Sequence, residues 1–433
     1  MNTQTLLDSA TDMMLQGLED SVRANMPHGP YRDFYLWGLS SDNSRQELWL
    51  NLLGVPQFAN LTLGLLGKAV QPNSLGELLS YSVPMNLYLI FEVASDDLAI
   101  QLSNRTLWKS EHYQRRTLLT TFNQAMVERL RGRDYVATHL LNDVRDLVRE
   151  VSGFEQSLIP DKYHALARSF LAKNPGVHMG DLEFALWPRL AMNVETCVAV
   201  AQTVRHLAVG PIVSQGLLSR YQSVNTLLRG DNLALSERIH IGVNTILVIP
   251  TLAYYIGVIA EEIEPIDNFR SVVDSGELSE ALYHAALAVR LLNDLGTPLL
   301  TEPGLCKELV RMLRSKLRNS HKFSYSLMET FQHFGADLAR LQKDTVHGEF
   351  NVALSDLDEL SAEEATESFE WRLTAITSMY AQSRTHLEMH SEAITRRLHN
   401  DVVSTMINRF VDFHASLYVN AYTNPLGEYT VGV

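Results

Sequence analysis

One stretch of this chain restricts its fold more than any other. From Leu278 onward, Ala281, Ala285, Ala288 and Leu292 recur at i, i+4, i+7 and i+11, the spacing of one helix face. With Leu and Val filling the positions between them, the run describes a helix packed inside an α-helical body. Its end has a different character. Asn293 and Asp294 follow directly on Leu291-Leu292, and Thr297 stands four residues after Asn293, so an amide oxygen and a hydroxyl share one face. Hard oxygen donors on a buried helix suit Mg²⁺, which takes carboxylate, carbonyl, water and phosphate oxygens. The same residues also read as an ordinary helix end, with Gly296 as its stop and Pro298 beyond.

Helical periodicity recurs along nearly the whole chain, and alternating strand patterns are almost absent. Breaks fall at Pro27-His28-Gly29-Pro30, Pro56, Pro72-Asn73, Ile159-Pro160, Asn174-Pro175-Gly176, Gly210-Pro211, Gly230-Asp231 and Glu302-Pro303-Gly304. They leave segments of the length found in helical bundles. No internal repeat of fixed period and no low-complexity linker interrupts them. The expectation is an all-α fold, one large bundle in a continuous domain. Residues 1–133 are expected to form N-terminal helices packed on it, and residues 134–433 the bundle itself.

A chain of 433 residues with 46% hydrophobic content can build a large core. A net charge of −14 excludes nucleic-acid binding as its main business. Cys197 and Cys306 are its only cysteines, too few for a disulfide framework or a thiolate zinc site. The start, Met1-Asn2-Thr3-Gln4-Thr5, has neither the basic nor the apolar region of a signal peptide. The longest apolar run, Ile239 to Ala260, is interrupted by His240, Gly242, Asn244, Pro250 and Gly257. It reads as a buried, broken helix rather than a stable membrane insertion, and the expected location is the cytoplasm. A homodimer is compatible with the sequence.

Four further stretches carry polar signals. Glu237-Arg238 precedes a Gly242-containing kink, where a guanidinium can turn inward to a phosphate; pairing of Arg238 with Glu237 or Asp231 is the plainer alternative. In Leu341 to Leu354 a Lys343-Asp344 pair ends an amphipathic stretch before a turn at Gly348 and Asn351. There Lys343 can meet a phosphate and Asp344 a metal, unless the segment is simply a helix end. His139, Asn142, Asp143 and Asp146 lie on one helix face, able to bridge metal ions to a diphosphate or to form a solvated face with an Asp146–Arg149 pair. Asp96-Asp97, after Phe91-Glu92, is an alternative acidic pair nearly as good. Finally, Lys307 to Lys322 is a basic amphipathic helix with a Leu309, Leu313, Leu317 stripe, suited to solvent or to docking near an anionic ligand.

Taken in order, these motifs resemble those of class I terpene synthases, across roughly residues 130–425. Asn293-Asp294-Leu295-Gly296-Thr297 resembles that family's second metal motif, Asn-Asp-x-x-Ser/Thr-x-x-x-Glu. Lys343-Asp344, Gly348-Glu349 and Asn351 resemble the Lys-Glu, the Gly-acid turn and the Asn that usually follow it at once. Arg238 to Gly242 resembles the stretch bearing the diphosphate-sensing Arg. The resemblance implies Mg²⁺-dependent ionisation of a linear prenyl diphosphate, then cyclisation or elimination. It assigns Asn293, Asp294, Thr297, Asp344, Asp143 and Asp146 to metal, and Arg238 and Lys343 to catalysis. It places Phe184, Trp187, Tyr254 and Tyr255 in the walls of an apolar substrate pocket.

The departures are specific. Thr297 is followed by Pro298, as though residues 298–340 were inserted, which leaves Glu302 and Asp344 both open as the third ligand. The first acidic motif would be Asn142-Asp143-x-x-Asp146 with its leading Asp replaced, or else Asp96-Asp97. The family's C-terminal Arg-Tyr pair is represented at best by Arg409-Phe410, with Tyr418, Tyr422 and Tyr429 beyond. Two other readings of the sequence stand beside this one. Glu277, Glu280, His284, His386, His390 and Glu392 are fragments of a helical di-iron, haem-oxygenase-like site, without its repeated Glu-x-x-His pairs. A non-catalytic scaffold docking an acidic partner through residues 307–322 is the other.

Overall fold

A computed structural model describes residues 3–103, 109–133, 144–155, 157, 159–230, 233–317, 323–331 and 333–419. No strand occurs among the described residues, and the all-α expectation holds. The chain opens with α1 (Thr3–Asn25), α2 (Pro30–Leu39), α3 (Gln46–Leu52) and α4 (Val55–Leu66). The long α5 (Leu75–Ala99) and α6 (Ser110–Leu130) follow, then α7 (Arg145–Val148), α8 (Pro160–Leu171) and α9 (Met179–Glu183). The middle of the chain is α10 (Leu186–Thr203), α11 (Gly210–Arg229), α12 (Leu235–Asn244), α13 (Val248–Gly257) and α14 (Phe269–Asp274). Then come α15 (Glu277–Leu295), α16 (Thr297–Thr301), α17 (Pro303–Leu317), α18 (Phe323–Phe331) and α19 (Ala339–His347), and finally α20 (Ala362–Leu398) and α21 (Val402–Leu417).

Helix α15 is the centre, as its small-residue spacing implies. Ala281, Ala285, Ala288 and Leu292 are fully buried, and so are Leu278, Leu282 and Leu291 on its other faces. It packs against α12, α13, α14, α19, α20 and α21, and only a helix apolar on all sides tolerates that many neighbours. Gly276 and Gly296, both at positive φ (82° and 80°), bound it. The left-handed backbone at these two positions is nearly free of cost for glycine and costly for other residues.

A second apolar core lies under the N-terminal helices, where Trp49, Phe34, Tyr35 and Phe170 cluster edge to face and Phe154 packs tilted against Phe34. Helix α5 belongs to both cores, placing Leu79, Leu87 and Phe91 in the second and Leu78, Met85 and Tyr88 in the first.

The apolar run 239–260 is two helices, α12 and α13, bent by 40° around Leu247 at φ 56°. A π-helical turn, Val258–Ile263, extends α13. Apart from this bent pair, no single helix among the described residues is long and apolar enough to cross a membrane. Between Gly296 and Ala339 the chain makes an excursion through α16, α17 and α18, and α19 returns it to the side of α15. The basic stripe helix is α17: Leu309 and Leu313 are buried while Arg311 and Arg314 face solvent, Arg314 paired with Glu370.

Candidate functional site

Between α5, α11, α12, α13, α15, α19 and α21 lies a cavity of about 650 Å³, within the range of small-molecule sites. Its walls are mostly apolar, with Tyr255, Phe350, Phe410, Phe413 and Tyr418 among them. Charged groups enter from α5 with α11 and from the ends of α15 and α19, and the ends of α5 and α19 meet where the Gln101 N–H donates to the His347 carbonyl at 2.9 Å.

The acidic side is the last two turns of α5, where Glu92, Asp96 and Asp97 line the cavity. Arg220 of α11 donates from Nη2 to Glu92 Oε1 and to Asp96 Oδ1, each at 2.6 Å. Burial pushes the Glu92 carboxyl up to about 7, with the charge of Asp96 adding to the rise and Arg220 opposing it. Asp97 is likewise pushed up to about 7 by burial, against the pull of Arg189. Its Oδ2 is shut off from water and has no hydrogen-bond partner. Such an atom is uncommon in folded proteins and marks a place for an ion or a water.

The second polar group is built where α19 meets the end of α15. Asn293 lines the cavity, and its backbone carbonyl accepts a hydrogen bond of 2.8 Å from Arg340 Nε. Arg340 Nη2 donates to the Asn293 side-chain oxygen and stands 4.9 Å over the Tyr418 ring through its guanidinium carbon. Arg290 also lines the cavity, and its Nε donates to Asp294 Oδ2 at 3.0 Å. Asn351 then ties the two elements together, with Nδ2 donating to the Asp294 carbonyl and to Asp344 Oδ2, each at 2.8 Å. Burial lowers Arg290 to about 10 and raises Asp344. Lys343 reaches the cavity but is held by Glu349, Nζ to Oε2 at 2.7 Å. Arg238 stands at the α12 edge, its Nε donating to the Leu233 carbonyl at 2.9 Å and its Nη2 paired with Asp356.

Thus Asn293, Lys343, Arg238 and Tyr255 share the cavity, with Asp294 and Asp344 buried directly behind it. Thr297 does not join them. The left-handed Gly296 ends α15 before Thr297 can continue its face, and the Thr297 hydroxyl donates to the Ala415 carbonyl instead. Glu302 is exposed at the end of α16, outside the cavity. Asp146 is 98% exposed beside Arg149, and Asp143 lies outside the described residues. Of the two acidic alternatives, Asp96-Asp97 lines the cavity.

Three expected wall residues stand elsewhere. Phe184 is 40% exposed at a separate groove, and Trp187 packs into the main core. Tyr254 is turned away, its hydroxyl donating to the Tyr81 carbonyl at 2.6 Å. Consecutive residues on a helix point about 100° apart, and here Tyr255 lines the hollow while Tyr254 points to α5.

Sequence reasoning missed Glu92, Arg220, Arg290, Arg340, Phe410, Phe413 and His414 as parts of this region. Arg290 had a legible signal, a lone cation in an apolar helix four residues before Asp294. No family model, no curated protein and no solved structure matches this chain.

Proposed function

We propose that this chain is a Mg²⁺-dependent enzyme of the class I terpene synthase kind, acting on a linear prenyl diphosphate. The observation that carries the reading is the mixed lining of one cavity: carboxylates of α5 and the polar ends of α15 and α19 border the same largely apolar, aromatic hollow. Asp96, Asp97 and Asn293 carry the hard oxygens that Mg²⁺ takes; Asp97 Oδ2 has no other partner, whereas Asp96 Oδ1 is shared with Arg220 and Asn293 Oδ1 with Arg340, which the ion would displace. When bound, the ion neutralises diphosphate charge and promotes its departure.

This chain's own residues have three tasks. Arg220, Arg238 and Lys343 hold the negative charge that grows on the diphosphate as the carbon–oxygen bond breaks and its electron pair goes to oxygen. Phe350, Phe410, Phe413 and Tyr255 exclude water and offer ring faces to the allyl cation left behind. The allyl cation then loses a proton to the departed diphosphate, or a double bond of the same chain first attacks it and the new carbocation so formed loses the proton; either way a hydrocarbon results. Arg290, Asp294, Asn351, Asp344 and Arg340 position Asn293 by locking α19 to α15.

The test is incubation of the full chain with C10, C15, C20 and C25 prenyl diphosphates and Mg²⁺, with hydrocarbons extracted and diphosphate measured. Turnover is expected with at least one of them, absent when Mg²⁺ is chelated and reduced about 10–100-fold or more in Asn293→Ala and Asp96→Asn. Failure to release diphosphate from all four, or turnover unchanged in both variants, overturns the reading.

A further inference from the structure

A second cluster of ligand-bearing side chains lies earlier on α15, on the face it turns to α20. Glu280 and His284 are four residues apart on α15, so they stand one above the other on the helix surface. His386 and His390 repeat that spacing on α20, and the Ser383 hydroxyl, donating to the His284 carbonyl at 2.8 Å, fixes how the two helices sit against each other. Ligand atoms of Glu280, His284 and His390 all lie within 4.8 Å of one another. The His386 ring centroid stands 4.8 Å from that of His284, and the His390 ring stacks on it at 5.8 Å.

The His284 Nδ1 is shut off from water without a hydrogen-bond partner, a condition that an ion or a water normally relieves. Among the described residues Glu280 enters no ion pair. Neutral imidazoles with one carboxylate are the donor set of a borderline transition metal, and a poor one for Mg²⁺. We propose that Glu280, His284 and His390, with His386 as the fourth ligand, form a site for a divalent transition metal of the zinc type that clamps α15 to α20. Tetrahedral bonds of about 2.0–2.1 Å put ligand atoms roughly 3.4 Å apart, so Glu280, His284 and His390 close by up to roughly 1.4 Å around the ion, and His386, outside their 4.8 Å group, swings in from the neighbouring turn of α20. The site lies about 13 Å along α15 from Asn293, at the helical rise per residue, and it stands whether or not the cavity binds a prenyl diphosphate.

The experiment uses the untagged full chain, stripped with chelator and titrated with Co²⁺ and Zn²⁺. One equivalent of Co²⁺ is expected to bind with the visible absorption of four- or five-coordinate nitrogen and oxygen ligation, and Zn²⁺ is expected to displace it and raise the melting temperature. His284→Ala/His390→Ala should lose the absorption and the thermal shift, and Glu280→Gln and His386→Ala, both at exposed positions, should each weaken binding about tenfold or more. His164→Ala, in the separate Glu155, His164, Glu183 group, should leave both signals unchanged. Absence of stoichiometric Co²⁺ uptake overturns the proposal. So does uptake that survives in the variants of Glu280, His284, His386 and His390, or that is lost in His164→Ala.

Discussion

At the scale of single residues, the ion pair between Arg290 and Asp294 decides whether the cavity wall exists. Asp294 is fully buried and Arg290 nearly so, and removing one partner of such a pair strands the other charge. Asp294→Ala is expected to lower unfolding free energy by about 3–5 kcal/mol in urea titration, whereas Arg290→Met/Asp294→Leu together should recover much of it. His414 gives a pH signature. It lines the cavity, its Nδ1 donates to the Phe410 carbonyl at 2.8 Å, and burial lowers it to about 4. Its unfolded value is higher, about 6.5, so the unfolded chain binds more protons between these values and stability falls as pH drops through that window. Unfolding free energy should therefore decline by about 1–3 kcal/mol between pH 7 and pH 4 on this residue's account, and His414→Asn should remove that share of the decline.

At the scale of helices, close approach explains where the cavity can be. A Cβ on Gly216 of α11 would come within 2.9 Å of the rigid Pro250 ring of α13. Since α11 carries Arg220 and α13 carries Tyr255, Gly216→Ala is expected to cost about 1–3 kcal/mol in thermal or urea unfolding and to disturb the charged side of the cavity. Gly76 is the contrast. Nothing stands within 4 Å of its would-be Cβ near the start of α5, so Gly76→Ala should be neutral or stabilising by up to about 1 kcal/mol. The element pattern was the most legible part of the sequence. Ala281, Ala285, Ala288 and Leu292 announced a central helix because small apolar residues at that spacing have no other use. The break near 245–247 was announced by Gly242, Asn244 and Pro250.

At the scale of the whole molecule, much less of the site was legible, because a cavity is assembled from residues far apart in sequence. The return of α19 to α15 after a long excursion could be suspected from Lys343-Asp344 and Asn351, whose polar side chains needed a buried partner. That Asp96-Asp97 lines the same cavity could not be read from the sequence, where Asn142-Asp143-Asp146 had slightly the better local pattern, because the cavity depends on α5 packing beside α11 and α13. Thr297 failed as a ligand for a local reason, the left-handed Gly296, which the Gly-Thr-Pro sequence did signal. The most direct measurement is a crystal structure of the full chain grown with Mg²⁺ and inorganic diphosphate. The expected result is a diphosphate inside the cavity, reached by metal ions from Asp96 or Asp97 and from Asn293, with Arg220 or Arg238 on its oxygens. A cavity without diphosphate at saturating ligand, or diphosphate bound only on the outer surface, would contradict it.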